Sequence, residues 1–347
     1  MNIVRGVSSV HDALRGAVLT VGNFDGLHLG HQRILRTACA LAQVSSASVV
    51  AMTFEPHPLE ILRPARAPKR ITPWAEKLRL LERSGVDAVV RLDTDWPLLS
   101  LSAEDFVREI LVKRIHPSYI VEGPNFGFGR DRKGSTATLH AMSARGGFQV
   151  HVVEPYRLAR SSLSRADLVD KPDDASVVVS STVVRRFLSV GAVEDAAHCL
   201  GRPFTLTGRV VHGAGAGRKL GFPTINLDLG EQLVPADGVY AGIVNVAGMR
   251  RPAAVSIGTR PTLRAAAQDA GLSAESPVVV EAYVLDEAGD WYAEEVRLDL
   301  WSRLRDQRRF ESREELTGQI AQDVESVRRV AAACGGARAQ APAPSRS

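Results

Sequence analysis

The chain has 347 residues, of which 45% are hydrophobic, so it is long enough for two domains that each bury a core. Its 43 lysines and arginines against 39 aspartates and glutamates give a net charge of +4 without basic blocks interleaved with aromatics, which argues against nucleic-acid binding. Three widely spaced cysteines, no signal-peptide pattern and no bilayer-length apolar run predict a cytoplasmic protein that has reduced thiols and does not bind membranes.

The first strongly patterned segment is a strand, a glycine-rich turn and a helix. Residues 17–21 form an apolar run that predicts a buried strand, and apolar side chains recur at helical spacing after residue 31. Between them lies Gly22-Asn23-Phe24-Asp25-Gly26-Leu27-His28-Leu29-Gly30-His31. The glycines allow close approach to a ligand, and the helix start suits a phosphate, to which His28 and His31 could donate hydrogen bonds. The segment therefore predicts a nucleotide-binding turn built for adenylyl transfer.

Other interpretations of this turn remain open. A glycine-rich turn between a strand and a helix is often only a turn, and two histidines are often surface residues. The segment lacks the Gly-Lys-Ser/Thr ending of a P-loop and the spacing of Gly-x-Gly-x-x-Gly. No cysteine or carboxylate pair at ligand spacing is nearby, so a zinc site is disfavoured. Together with the preceding strand, Asn23 and Asp25 favour nucleotide binding.

The rest of the first half alternates strands with amphipathic helices. We predict strands at 48–54, 86–92 and 119–121 and helices at 72–85 and 102–111. This alternation predicts a doubly wound α/β domain with a mainly parallel sheet. Ligands of such sheets bind beyond the carboxyl ends of the strands, where the turn at Gly22–His31 and the loop at Gly123–Gly129 are expected.

After residue 203 the pattern changes to short strands separated by Gly, Pro and Asp. We predict strands at 204–212, 238–246, 278–286 and 295–301. They indicate an antiparallel β-barrel, followed by a terminal helix from Arg313 to about Val330. Residues 265–276 look like an inserted loop, and the composition of 331–347 predicts a disordered tail. The predicted domains are 1–190 and 191–330.

Taken together, the motifs resemble those of bacterial bifunctional riboflavin kinase/FAD synthetases. The likeness runs from Met1 to about Val330, and its motifs occur in one order, which makes the set specific. Besides the first turn they are Phe54-Glu55-Pro56-His57-Pro58, Gly123-Pro124-Asn125-Phe126-Gly127-Phe128-Gly129, Ser180-Ser181-Thr182-Val183-Val184-Arg185, Gly221-Phe222-Pro223-Thr224-Ile225-Asn226 and Ile257-Gly258-Thr259-Arg260-Pro261-Thr262.

The resemblance implies an N-terminal nucleotidyltransferase domain of the His-x-Gly-His type and a C-terminal flavokinase barrel. It implies that ATP and Mg²⁺ are used to phosphorylate riboflavin to FMN and to adenylylate FMN to FAD, with release of pyrophosphate. The implied partners are therefore the small molecules riboflavin, FMN and ATP.

For the first domain, the resemblance implies that His28 and His31 act on the α-phosphate of ATP. The implied ATP-binding residues are Gly22, Asn23, Phe24, Asp25, Gly26, Gly30, Ser180, Ser181, Thr182 and Arg185. The implied flavin-binding residues are Phe54, His57, Pro58, Asn125, Phe126 and Phe128. Three alternatives stay open: the Ser-Ser-Thr run could be a simple helix cap, Phe126 and Phe128 could be core residues, and His57 could be a solvated loop residue.

For the second domain, the resemblance implies that Glu281 is the base that activates the 5′-hydroxyl of riboflavin. The implied phosphate-binding residues are Gly213, Gly215, Gly217, Arg218 and Gly221. Thr224 and Asn226 offer the oxygen ligands that suit Mg²⁺, and Arg305 is an implied flavin contact. Alternatively, the glycine-rich segment is a flexible loop and Glu281 a solvated surface residue.

Three other functions are weighed against this one. The chain could retain only one activity, it could be a non-catalytic flavin-binding protein, or it could be related to tRNA ligases. His28, His31, Glu281, Thr224 and Asn226 are all present, which argues against a dead pocket. A Lys-Met-Ser-Lys-Ser-like loop and a basic anticodon-binding patch are missing from the sequence, which disfavours a tRNA ligase.

Overall fold

The computed structural model describes residues 1–10, 12–169, 174–213, 216–259, 278–287, 289 and 291–338. The chain forms two compact units, one made of residues 1–159 and 176–181 and the other of residues 160–175 and 182–347. The second unit begins before residue 190 because the helix after Ser181 belongs to it: Phe187 and Leu188 are buried, and the Leu188 carbonyl accepts the Ala236 N–H at 3.0 Å. The functional boundary at 190 stays a prediction.

The first unit is built on a six-stranded sheet in which every neighbouring pair is parallel. Its strands are β1 (Asn2–Arg5), β2 (Val18–Val21), β3 (Val49–Glu55), β4 (Ala88–Asp93), β5 (Tyr119–Glu122) and β6 (Gln149–Val152). They run in the order β1-β4-β3-β2-β5-β6. The predicted parallel α/β sheet is confirmed. The central strands are mostly apolar because both of their faces are covered.

Helices pack on both faces of this sheet. They are α1 (Leu29–Ser45), α2 (Pro58–Leu62), α3 (Trp74–Arg83), α4 (Trp96–Leu99), α5 (Ala103–Asp105), which continues as a π-helix (Phe106–Ile115), and α6 (Thr136–Gly146). Successive residues of β2 face opposite sides, so Leu19 and Val21 join one hydrophobic core and Val18 joins the other. Ser102 caps α5 as predicted, since its hydroxyl accepts the Asp105 N–H at 3.0 Å.

Strand β2 is the point at which the order of the sheet reverses. The chain runs from β2 to β3 on one side, whereas β5 lies on the other side, paired through Val18 with Tyr119 and Leu19 with Ile120. In such sheets a crevice opens beyond the carboxyl ends of the two strands that flank the reversal. The segments that follow β2 and β5 therefore define the place for a ligand. A short hairpin, β7 (Arg157–Ala159) and β8 (Ser176–Val178), completes the unit.

The second unit contains a closed antiparallel barrel in the order β10-β13-β12-β11-β14-β9. Its strands are β9 (Phe204–Val211), β10 (Thr224–Asp228), β11 (Gly238–Val246), β12 (Met249–Thr259), β13 (Val278–Val284) and β14 (Glu295–Arg305). The predicted barrel is confirmed. Strands β10 and β12 were not predicted, and β14 continues beyond its predicted end at residue 301. The predicted inserted loop at 265–276 lies outside the described residues.

The helices of this unit are α7 (Ser181–Ser189), which begins at the last residue of the first unit, α8 (Val193–Leu200), α9 (Ala216–Lys219) and α10 (Arg313–Arg338). Val327 of α10 is buried against Ala241 and Leu285. Helix α10 continues past its predicted end at Val330 to Arg338, and the disordered tail stays a prediction. Within the described part of the chain, no helix combines the length and apolar character that a membrane crossing requires.

Candidate active sites

The turn after β2 is held in place by Asp25. Its carboxylate accepts the backbone N–H of Ile71 at 3.1 Å and of Thr72 at 3.0 Å, and the Gly26 N–H donates to the Thr72 hydroxyl at 3.1 Å. Asp25 is only 6% exposed. The side chain thus fixes the turn to the segment before α3. The implied role of Asp25 in ATP binding stays a prediction. The hydrogen bonds support an indirect role, in which Asp25 holds the turn in shape.

His28 is the N-cap of α1. Its Nδ1 accepts the His31 backbone N–H at 3.3 Å, and the two imidazoles stack with centroids 3.7 Å apart. Because Nδ1 is an acceptor, the proton of the neutral ring is on Nε2. Gly30 makes room for this ring, since a Cβ there would lie 3.1 Å from its atoms. The two predicted histidines are therefore brought together at the start of a helix.

His31 is held in its neutral form. Burial lowers its pKa well below the ordinary value, and electrostatic interaction with the neighbouring His28 and Lys77 side chains lowers it further. Its Nδ1 is buried and has no hydrogen-bond partner among the described residues. A neutral imidazole with an unused nitrogen can donate or accept a hydrogen bond without bringing a charge.

Asn23 and His57 form a second polar pair beside the turn. The amide group of Asn23 lies 3.1 Å from Nε2 of His57, whose Nδ1 caps α2 by accepting the Leu59 N–H at 3.1 Å. Oδ1 of Asn23, a hydrogen-bond acceptor, is buried without a partner in the described chain. His57 is thus positioned by the start of α2, at Pro58, rather than solvated as a free loop residue. Phe54 packs against the core.

The Ser180-Ser181-Thr182 motif meets the same turn through one hydroxyl. Ser181 donates to the Asp25 carbonyl at 2.8 Å and is the first residue of α7. Thr182 and Arg185 follow on this helix and belong to the second unit. One hydroxyl of the motif therefore contacts the turn, whereas the implied ATP-binding roles of Ser180, Ser181, Thr182 and Arg185 stay predictions.

Glu122, at the end of β5, was missed by the sequence reasoning. Its carboxylate accepts the Val21 N–H and the Thr20 hydroxyl, at 2.5 and 3.4 Å, and the residue is 4% exposed. Burial raises its pKa well above the ordinary value. Glu122 thus ties together the ends of the two strands that flank the reversal. The signal in the sequence is a carboxylate that directly follows the apolar run of residues 119–121.

The loop after β5 divides its predicted flavin contacts. Asn125 is exposed, and Phe126 is half-buried. Phe128 is buried in the core, with its ring centroid 5.1 Å from that of Phe126 and 5.7 Å from that of Phe106. The packing therefore supports the core interpretation for Phe128. Flavin contacts by Asn125 and Phe126 stay predictions.

In the second unit, the strand register places the implied kinase residues side by side. Asn226 of β10 is opposite Glu281 of β13, and Glu281 is opposite Ser256 of β12. Thr224 is two residues before Asn226, so it shares the same face of the strand. Val280 and Ala282, on the other face of β13, are buried. Thr224, Asn226 and Glu281 therefore form one group on the outer face of the barrel.

The glycine-rich segment packs directly on this group. A Cβ at Gly213 would lie 2.0 Å from Nδ2 of Asn226, and one at Gly217 would lie 2.4 Å from the Phe222 carbonyl and 3.2 Å from Oγ1 of Thr224. A side chain would displace the Asn226 amide at Gly213 and would collide with the Phe222 carbonyl at Gly217. Arg218 is on α9, and Gly221 adopts φ +84°. Gly215 lies outside the described residues.

Thr224 and Asn226 offer oxygen atoms suited to a hard cation. Neither side chain makes a hydrogen bond with another described residue, and Asn226 is only 9% exposed. A hydroxyl and an amide carbonyl are ligands that Mg²⁺ accepts when substrate phosphates and water supply the others. In the described ranges no cluster of three or more His, Cys, Asp or Glu residues suits a metal. The donor set therefore fits Mg²⁺ bound together with a nucleotide.

Arg305 ends β14 and is tied to the terminal helix. It donates to the Asp323 carboxylate through Nε at 3.0 Å and Nη2 at 2.7 Å, and its guanidinium lies 5.8 Å from the centre of the Phe310 ring. A cavity of about 580 Å³ opens beside this pair, between Leu304 and Ser326. The structure supports a bracing role for Arg305, and its flavin contact stays a prediction.

Comparison with known proteins agrees with this division into two sites. Residues 10–167 match the family model of FAD synthetase, and residues 200–331 match that of riboflavin kinase. The bifunctional riboflavin kinase/FMN adenylyltransferase of Escherichia coli K12 is 35% identical over 327 residues, which are 93% of this chain and 96% of the relative. The enzyme of that description from Pseudomonas fluorescens is 35% identical over 332 residues, 96% and 98% of the two chains.

A solved structure has the same fold. It is described as a macrolide-efflux protein from Streptococcus pneumoniae and matches with a TM-score of 0.78 and 28% identity, covering 94% of this chain and 99% of that one. The relatives are matched over nearly their whole length, and both family models occur in the order of the two units. The chain therefore belongs to the family of bifunctional riboflavin kinase/FMN adenylyltransferases.

Proposed function

We propose that this chain makes FAD from riboflavin in two steps that use two separate ATP sites, one in each unit. The observation that carries the proposal is that each unit contains its own assembled set of groups. His28 and His31 stack at a helix start, and Thr224, Asn226 and Glu281 share one face of the barrel. A cytoplasmic location is part of the proposal, because both steps consume ATP.

The first unit would catalyse adenylyl transfer by positioning and charge stabilisation. The phosphate of FMN is already nucleophilic, so its oxygen can attack the α-phosphorus of ATP directly while the bond to the β-phosphate oxygen breaks and pyrophosphate leaves. No covalent enzyme intermediate is required. Nε2 of His28 and the neutral ring of His31 would donate hydrogen bonds to the α-phosphate oxygens as their charge increases. The first N–H groups of α1 would add to this effect.

The second unit would transfer the γ-phosphate of ATP to the 5′-hydroxyl of riboflavin. Glu281 would accept the hydroxyl proton as the oxygen attacks. The N–H groups of the segment from Gly213 would bind the phosphates. Thr224 and Asn226 would hold Mg²⁺, which would neutralise part of the charge on the nucleotide phosphates.

The function is tested by incubating the purified chain with riboflavin, ATP and Mg²⁺ and separating the flavins by chromatography. We expect FMN and then FAD, and we expect neither product when the divalent cation is removed with a chelator. FMN alone, or FAD only from supplied FMN, would mean that one activity has been lost. Riboflavin that is bound but unchanged would indicate a flavin carrier.

Replacing Gly213 with alanine should impair riboflavin phosphorylation selectively. The new Cβ would occupy the space of the Asn226 amide, 2.0 Å from Nδ2, and would push that side chain away. We expect FMN synthesis to fall at least about tenfold, as for the loss of one ligand contact, with FAD formation from FMN unchanged. Gly318→Ala, on helix α10 of the same unit where a Cβ meets nothing within 4 Å, is the control. An unchanged rate of FMN synthesis in Gly213→Ala would contradict the prediction.

A further inference from the structure

Helix α3 brings a lysine to the nucleotide-binding turn that no motif includes. Ile71 and Thr72, just before this helix, donate backbone hydrogen bonds to Asp25. The first turn of α3 is therefore fixed beside the turn that follows β2. Lys77 is in that first turn of the helix and is only 6% exposed. Its charge reaches His31, whose pKa it helps to lower, and Asp25 is the carboxylate that acts on Lys77 most strongly.

Lys77 is buried without a direct counter-ion. Among the described residues its Nζ makes no ion pair and no hydrogen bond, and its contact is with the ring of Trp74, 5.6 Å from the centroid. Burial lowers the pKa of this ammonium group, although nearby carboxylates oppose the shift. A buried ammonium that lacks a partner is unfavourable, so a protein keeps one chiefly where a ligand supplies the opposite charge.

The carboxylates near Lys77 already have partners of their own. Asp25 accepts two backbone N–H groups. Arg70 pairs with Glu55 and, through Nη2 at 2.9 Å, with Glu60. None of these carboxylates depends on Lys77 for its hydrogen bonds. This argues against the interpretation that Lys77 serves only as their structural counter-ion.

Unused polar groups converge on the same turn. Nδ1 of His31, a residue whose pKa Lys77 helps to lower, is buried without a partner in the described chain. An anion with several oxygen atoms would satisfy the ammonium group and the hydrogen-bond donors together. We propose that Lys77 binds the triphosphate of the ATP that adenylylates FMN, beside His28 and His31. This inference deepens the function proposed above for the first unit and rests on it.

The test compares Lys77→Met, which removes the charge, with Lys77→Arg, which keeps it. Initial rates of FAD formation are measured at saturating FMN and varied ATP, and FMN synthesis from riboflavin is measured on the same preparations. We expect Lys77→Met to lower kcat/KM for ATP in FAD formation about ten- to hundredfold, as for a charge-assisted hydrogen bond. Lys77→Arg should lower kcat/KM for ATP by a smaller factor than Lys77→Met. Some loss is expected because a planar guanidinium does not fit where an ammonium group fits in a closed site.

Two controls separate binding from stability. Lys113→Met makes the same change on the π-helix of the same unit, at a side chain that is 64% exposed and paired with Glu109, and should leave both activities unchanged. FMN synthesis should be unchanged in all variants, and melting temperatures should stay near that of the wild type.

The inference fails if Lys77→Met keeps the wild-type kcat/KM for ATP, or if it loses FMN and FAD formation alike with a lowered melting temperature. If Lys77→Met does not fold, Lys77→Arg decides: a raised KM for ATP confined to FAD formation supports phosphate binding, and a wild-type KM overturns it. Absence of FAD formation in the wild type would instead remove the function on which the inference rests.

Discussion

Replacing His28 with alanine should abolish FAD formation and leave the synthesis of FMN from riboflavin unchanged. The substitution removes the cap of α1, the ring that stacks on His31 and the Nε2 proton that we propose is donated in a hydrogen bond to the α-phosphate. Losing one such donor to a developing charge lowers rates about a hundred- to thousandfold, and the lost stacking adds to the damage. The measurement is chromatographic separation of FMN and FAD after incubation with riboflavin, ATP and Mg²⁺.

Two further variants show whether this effect is specific. His28→Asn keeps an acceptor for the helix start but not the imidazole, so it should restore the melting temperature without restoring FAD formation. His140→Ala removes an exposed histidine on α6 of the same unit and should change neither activity. A His28→Ala protein that loses both activities equally would refute the division of labour between the units.

Replacing Glu281 with glutamine should slow FMN synthesis at least about a hundredfold, the lower end for loss of acid–base catalysis. The amide has the size of the carboxylate but cannot accept the proton of the riboflavin hydroxyl. Glu281 lies opposite Asn226 in the strand register, and because glutamine has the same size, we expect Thr224 and Asn226 to keep their positions. We therefore expect riboflavin to bind as before, measured by quenching of its fluorescence, while initial rates of phosphorylation fall.

The matching control is Glu295→Gln on β14 of the same barrel, where the side chain is 84% exposed. This variant should phosphorylate riboflavin at the wild-type rate. FAD formation from supplied FMN should be unchanged in both variants. Near-normal turnover by Glu281→Gln would remove this residue from the mechanism.

Much of the fold could be predicted from the sequence, because the buried parallel strands are continuous apolar runs. Strand β3 and helix α3 start and stop close to their predicted bounds for this reason. Strand β10 was missed because it has five residues, of which Thr224 and Asn226 are polar and face outward. Strand β12 was missed because Arg250, Arg251 and Pro252 obscure its alternation. A strand of a barrel needs only one apolar face, which points into the barrel, and the neighbouring strands supply the other core residues.

The candidate sites were predictable where they coincide with motifs and unpredictable where they depend on burial. His28 and His31 were found because glycines and a helix start surround them in the sequence. In the sequence, Glu122 looks like a charged residue at the end of a strand, and Lys77 looks like one on the solvated face of a helix. Only the packing of other elements over them makes these charges unusual. A motif also does not show which of its members are core residues: Phe128 packs in the core, and its flavin contact stays a prediction.

The path of the chain through the first unit has a practical consequence for fragments. The chain leaves this unit after Ala159 and returns to it at Ser176, where β8 pairs with β7 and Ser181 reaches Asp25. A truncation at residue 167, where the first family match ends, would delete β8 and this serine. An N-terminal fragment intended to act alone must therefore extend at least through Ser181. Cleavage by a protease between residues 160 and 175 would leave β8, the second strand of the hairpin, on the C-terminal fragment.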